Sequence, residues 1–242
     1  NGEALETNEK GQLVGTFVEL TAGDVSADLK AKFPHLSSYK AYSVPEDVNP
    51  HGWVKEEIVA VVTDAEGIIQ SATVVQNAGL LDDLFYDEAK DQTLGAVVAN
   101  GGTSFKLWAP TAKQVNLYLY DEDLSALGEE SMVELEMDLF TGIWSASVEQ
   151  DLVGKFYRYE VNVYHPLTRK WETTMVTDPY SLSLSTNSTH SQVVDLNADE
   201  LKPDNWDEVA APAINSPTEY VLYETHIRDF SSADEDGTAA YK

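Results

Sequence analysis

Apolar and polar residues alternate along most of this chain, the pattern of β-strands with one buried face. In MVELEMDL, Val133, Leu135, Met137 and Leu139 alternate with Glu134, Glu136 and Asp138. VNLYLY places Val115, Leu117 and Leu119 on one face. FYRYEVNVY sets Tyr157, Tyr159, Val161 and Val163 against Arg158, Glu160 and Asn162. Further strands are predicted in LVGTFVEL from Leu13, EIVAVVTD from Glu57 and GIIQSATVV from Gly67. Turns are predicted between them at Asp64 to Gly67 and at Phe140 to Gly142, where glycine is free to take positive φ.

Helical signals are few. DVSADLKAKF offers Asp24 or Ser26 as a cap, with Leu29 and Phe33 four apart, and GLLDDLFYDEA clusters Leu80, Leu81, Leu84 and Phe85. Neither is long enough to organise a fold. The expectation is an all-β chain of two tandem antiparallel β-sandwiches, the second Ig-like. Polar, glycine-bearing sequence from Asp87 to Gly102 separates the two. A second break falls in LKPDNWDEVAAPAINSP, where Pro203, Pro212 and Pro217, with Pro179 upstream, interrupt every period. After it, EYVLYETHI is almost continuously apolar, as a strand buried on both faces would be. The expected organisation is therefore 1–92, 93–200 and 201–242.

Composition then narrows the chemistry. The 242 residues carry a net charge of −27, which argues against nucleic acid and anionic membrane surfaces, since both are bound through Lys and Arg. A neutral ligand is indifferent to that field. No apolar run is long enough to span a membrane, and NGEALETNEKG has neither the basic start nor the apolar stretch of a signal peptide. The absence of cysteine excludes disulfides, thiolate zinc sites and a cysteine nucleophile. The five histidines lack HExxH spacing, no serine lies in GxSxG, and no glycine-rich phosphate loop follows a strand. Acid pairs such as Asp82-Asp83, Asp121-Glu122-Asp123 and Asp234-Glu235-Asp236 do not fit the spaced EF-hand loop and read as solvated surface. Asn187-Ser188-Thr189 matches a glycosylation sequon, a weak three-residue signal.

Several longer strings are more specific. FPHLSSYKAYSVPEDV and GLLDDLFYDEAKDQTLGA, then FKLWAPTAKQVNLYLYD, then GKFYRYEVNVYHPLTRKWETTMVTDPYSLSLSTNSTHSQVVDLN, LKPDNWDE and VLYETHIRDFS occur in that order. Together they resemble the pullulanase and limit-dextrinase branch of the α-amylase superfamily, glycoside hydrolase family 13. WAPTA alone names the superfamily; YHPLTRK and TDPYSLSLSTNS narrow it to this branch. The resemblance implies an N-terminal accessory sandwich, then a family 48 carbohydrate-binding module, then the first strand of an absent (β/α)8 catalytic barrel.

That branch cleaves α-1,6 links in pullulan, starch and related branched glucans with two carboxyl groups about 5 to 5.5 Å apart. In the superfamily those groups sit on later barrel strands. The residues left after Ala213 are far too few for a barrel of roughly 250 residues. The parent is thus expected to be an enzyme, and this chain to lack its catalytic carboxylates. No catalytic or metal residue is assigned here, and no cofactor is expected, with calcium left open for the parent. Tyr223, Glu224, His226, Arg228 and Asp229 fall in the barrel-strand string, where the resemblance gives them no acid or nucleophile role.

Flat rings can stack on sugar, so the tryptophans are the glycan-binding candidates. Trp108 reads first as a plug beside Pro110 and second as part of a groove, and Trp144 reads as core. Trp171 is expected at an exposed hairpin tip, and Trp206 as a linker wedge or a sugar contact. The expected partners are an α-glucan (pullulan, starch or glycogen) and the catalytic domain of the same protein. The family implies a bacterial protein that is secreted, periplasmic or on the cell surface. Two other readings remain open: a free-standing starch- or glycogen-binding module pair, and the accessory region of an isoamylase or branching enzyme.

Overall fold

The computed structural model describes residues 5–128, 131–226 and 230. Two compact units divide the chain, Asn1–Asp195 and Leu196–Lys242.

In the first unit, the chain opens with β1 (Thr21–Asp24), α1 (Ala27–Lys32), β2 (Lys40–Ser43), β3 (Val59–Thr63), β4 (Ile69–Val74) and α2 (Ala78–Ala89). β1 pairs antiparallel with β2, and β3 with β4, as two separate two-stranded ladders. The predicted hairpin turn holds: Gly67 has φ +80°, and Asp64 accepts the Ile68 N–H at 2.9 Å. Ser26 caps α1 by accepting the Leu29 N–H at 3.2 Å. The strand predicted from Leu13 is different. Around its start there are only isolated bridges, Leu13 to Thr7 and the preceding Gln12 to Ile68, and the regular strand begins later at Thr21. Alternation sets a face, but a strand persists only where a partner supplies its ladder.

The sandwich follows. Its strands are β5 (Gly95–Ala99), β6 (Gly102–Trp108), β7 (Ala112–Tyr120), β8 (Met132–Glu134), β9 (Glu136–Met137), β10 (Ile143–Val148), β11 (Phe156–His165), β12 (Lys170–Val176), β13 (Ser183–Leu184) and β14 (Ser191–Gln192). One sheet runs β5-β6-β10-β9; the other runs β13-β14-β11-β7-β8, with β12 also on β11. All pairings are antiparallel. The alternating residues meet between the sheets: Phe105 and Leu107 from β6, Val115, Leu117 and Leu119 from β7, Tyr157 and Tyr159 from β11. Phe105 and Tyr157 touch edge to face across the gap, 5.0 Å between ring centres. Each such side chain contributes about 1.5–3 kcal/mol by leaving water.

MVELEMDL was one strand by its pattern and is two in the fold. β8 pairs with β7 in one sheet, β9 with β10 in the other, and buried Leu135 sits at the crossing. This edge strand closes one side of the sandwich by changing sheets.

Two devices tie the loops to this core. Thr103 donates to the Gln150 carbonyl at 2.9 Å and accepts the Leu152 N–H at 3.2 Å. Phe85 of α2, completely buried, reaches the turn at Gly142 and meets His51 edge to face at 5.3 Å.

The second unit contains 3-10 turns at Asp199–Leu201, Trp206–Glu208 and Pro217–Glu219. From Val221 to His226 the chain has no ladder partner among the described residues, and Val221, Leu222 and Tyr223 are almost fully exposed. A strand that is apolar on both faces and has no neighbours cannot satisfy its backbone within a sheet. No helix among the described residues is long and apolar enough to cross a membrane.

Candidate functional site

The tryptophans fall in different places. Trp108 ends β6 half-buried, and its indole N–H donates to the Thr141 carbonyl at 3.0 Å. Pro110 and Gly142 lie beside it. A Cβ on Gly142 would stand 2.8 Å from Pro110 Cβ and 3.3 Å from Trp108 Nε1, so that turn requires glycine. Trp144, buried in β10, donates to the Ala109 carbonyl at 2.9 Å. Their indole donors are both used to fasten the loops around Pro110 and Gly142.

Trp171 lies in the other sheet, in β12, paired with Tyr164 of β11. The two rings meet edge to face at 5.8 Å. The Lys113 ammonium covers the indole at 3.8 Å from the ring centre, close enough for a cation–π contact. Trp171 is therefore half-buried rather than open, and it is Leu167 that projects from the hairpin, 90% exposed. The Trp171 indole N–H is buried with no hydrogen-bond partner among the described residues. Trp206 belongs to the second unit and is 61% exposed. Thus Trp108 and Trp144 gather round one turn, Trp171 does not join them, and Trp206 lies in a separate unit. Of the terminal string, Tyr223, Glu224 and His226 are exposed, while Arg228 and Asp229 lie outside the described residues.

A feature unread in the sequence is a groove of about 350 Å³ between the 54–77 segment and the sandwich. Val54, Lys55, Glu56, Glu57, Gln76 and Asn77 line one side; Thr111, Tyr164 and Pro166 line the other. Of its charges, Glu57 and Lys55 are engaged and Glu56 stays exposed. Glu57 pairs with the Arg169 guanidinium at 3.0 Å, and contact with Tyr164 and Glu57 raises the Arg169 pKa. Lys55 lies 5.4 Å from the Trp144 ring centre, and burial lowers its pKa. No local pattern announces this groove, because its walls are far apart in sequence.

The core also holds one buried acid. Asp178 accepts from Tyr157 Oη at 2.7 Å and from the Tyr180 N–H at 2.8 Å, while Ser191 Oγ accepts the Asp178 N–H at 2.8 Å. Burial raises the Asp178 pKa despite those donors, and burial with the nearby Asp178 charge raises that of Tyr157. These groups join β11 to β14 and face the core, so they read as structural. His190 stands edge to face with Tyr120 at 4.6 Å, and burial, then Arg158, lowers its pKa. Among the described residues, no group of three or more His, Asp or Glu is placed to hold a metal ion.

The fold is an antiparallel β-sandwich whose tryptophan donors fasten its loops, preceded by two short ladders and a helix that plugs it. Residues 2–83 match the pullulanase N2 domain, and residues 93–181 match carbohydrate-binding module 48, the isoamylase N-terminal domain. The chain belongs to the N-terminal region of the pullulanase branch of the α-amylase superfamily. It is 43% identical to a pullulanase of Klebsiella pneumoniae over 93% of its own length and 21% of that protein. It is 38% identical to the chloroplastic pullulanase 1 of Arabidopsis thaliana, over 90% of this chain and 22% of that protein. The maltotriose complex of a Klebsiella pneumoniae pullulanase mutant superposes with a TM-score of 0.84 at 41% identity, covering 96% of this chain and 25% of that one. The chain thus spans about a fifth of the length of these curated relatives.

Proposed function

We propose that this chain is the non-catalytic N-terminal region of an enzyme that hydrolyses α-1,6-glucosidic links in pullulan, starch and related branched α-glucans. The observation that carries the reading is the order of the two matched domains, N2 at 2–83 and module 48 at 93–181. Its work is to support the catalytic domain of the same protein and to contribute glucan contacts. Trp206 is the most open of the candidate rings, whereas Trp108 is half-buried with its N–H engaged and Trp171 has Lys113 over its face. Branched polymeric substrates fit a secreted, periplasmic or surface setting. The reaction needs no cofactor from this region.

The test compares this chain with the parent enzyme in a reducing-sugar assay on pullulan. The parent is expected to release oligosaccharide and the 242-residue chain none. Hydrolysis by the purified chain itself would place catalytic carboxylates within it and end the reading.

A further inference from the structure

We propose that the groove between the 54–77 segment and the sandwich is a seat for a short, neutral α-glucan such as maltotriose; this extends the glucan reading above and rests on it. The volume of about 350 Å³ lies at the small end of ligand sites, which run from about 300 to 1,000 Å³. Its lining is mixed in the way a sugar demands. Tyr164 and Pro166 offer apolar surface for ring faces over a floor that includes buried Val54, while Gln76, Asn77 and Thr111 offer amides and a hydroxyl for the sugar rim.

Asn77 is the most telling of these. It occupies the N-cap of α2, where asparagine ordinarily accepts a backbone N–H, yet its side chain makes no capping bond. Among the described residues its half-buried carboxamide has no hydrogen-bond partner, which leaves it open to a ligand at the edge of the groove. The charges point the same way. Glu57 is held by Arg169 and the Lys55 ammonium lies over Trp144, which leaves the exposed Glu56 carboxylate to disfavour an anionic ligand. The net charge of −27 disfavours phosphorylated ligands and leaves a neutral glucan unaffected. The two walls come from the two matched domains, 2–83 and 93–181, so a sugar in the groove would bridge them.

The experiment uses the whole chain. Maltotriose is titrated calorimetrically, and lysine acetylation is then followed by mass spectrometry with and without the sugar at ten times its dissociation constant. Lys55 lines the groove, while Lys113 lies over Trp171, so the two amines report on different seats. The groove requires that acetylation of Lys55 slow about tenfold, with Lys113 unchanged. The double variant Gln76→Ala, Asn77→Ala, checked for an unchanged melting profile, should bind about tenfold more weakly. Protection of Lys113 instead would seat the sugar on Trp171 and overturn the groove while glucan binding stands. Binding with neither lysine protected would overturn it equally. No binding heat at all would overturn the groove and the glucan-contact part of the proposed function together.

Discussion

At the residue scale, Asp178 shows how a buried charge is held and what it costs. Its carboxylate accepts from the Tyr157 hydroxyl and the Tyr180 N–H, and its own N–H donates to Ser191 Oγ, yet burial still dominates and raises its pKa. A carboxyl raised in the folded state stabilises most below its unfolded pKa, near 3.9, and loses that contribution as pH rises through the folded value. Asp178→Asn removes the titration and keeps a carbonyl acceptor. The stability advantage of the wild type over Asp178→Asn, measured by urea unfolding, is therefore expected to be greatest near pH 4 and to shrink toward pH 7. A constant or growing difference would mean that the donors, not burial, govern the site. Asp178→Ala at pH 7 strands the Tyr157 hydroxyl and should cost about 1–3 kcal/mol.

At the scale of elements, what was legible in the sequence was whatever a single strand or turn decides. The inward faces of β7 and β11 followed from alternation because each has one face in the core. The Gly67 and Gly142 turns and the Ser26 cap followed from local backbone chemistry. The change of sheet at Leu135 did not, since alternation specifies a face and says nothing of which neighbour pairs. Lys113 over Trp171, and the groove walls, were hidden for the same reason: their partners are distant in the chain. The role of α2 is the sharpest case. Leu81, Leu84 and Phe85 announced a helix, but not that Phe85 would plug the sandwich beside Gly142, outside the 93–181 span of module 48. Phe85→Ala should therefore cost about 3–5 kcal/mol by thermal or urea unfolding of the full chain. A piece limited to 93–181 lacks α2 and also Ser191 and Val193, both buried, and should unfold without a cooperative transition, whereas 76–197 should retain one. An equally stable 93–181 piece would show that the plug is peripheral.

At the scale of the whole molecule, the excess of acids is the dominant long-range force. A net charge of −27 spread over one chain repels itself and favours expansion. Against it stand ion pairs that are mostly exposed, such as Lys155 with Asp121 and Lys40 with Asp24, which water screens and which hold little of the fold together. Salt weakens both effects, but the unpaired acids greatly outnumber the pairs, so relief of repulsion wins. Raising sodium chloride from about 10 mM to 100 mM shortens the screening length from about 30 Å to 10 Å. At pH 7 the melting temperature is expected to rise, by about 2–4 °C for each kcal/mol recovered in a chain of this size. The control lies in the protein's own titration. Near its isoelectric point of about 4.2 the net charge vanishes, and the salt increment should vanish with it. An equal increment at both pH values would assign the effect to preferential hydration rather than charge, and would remove self-repulsion as a determinant of this fold's stability.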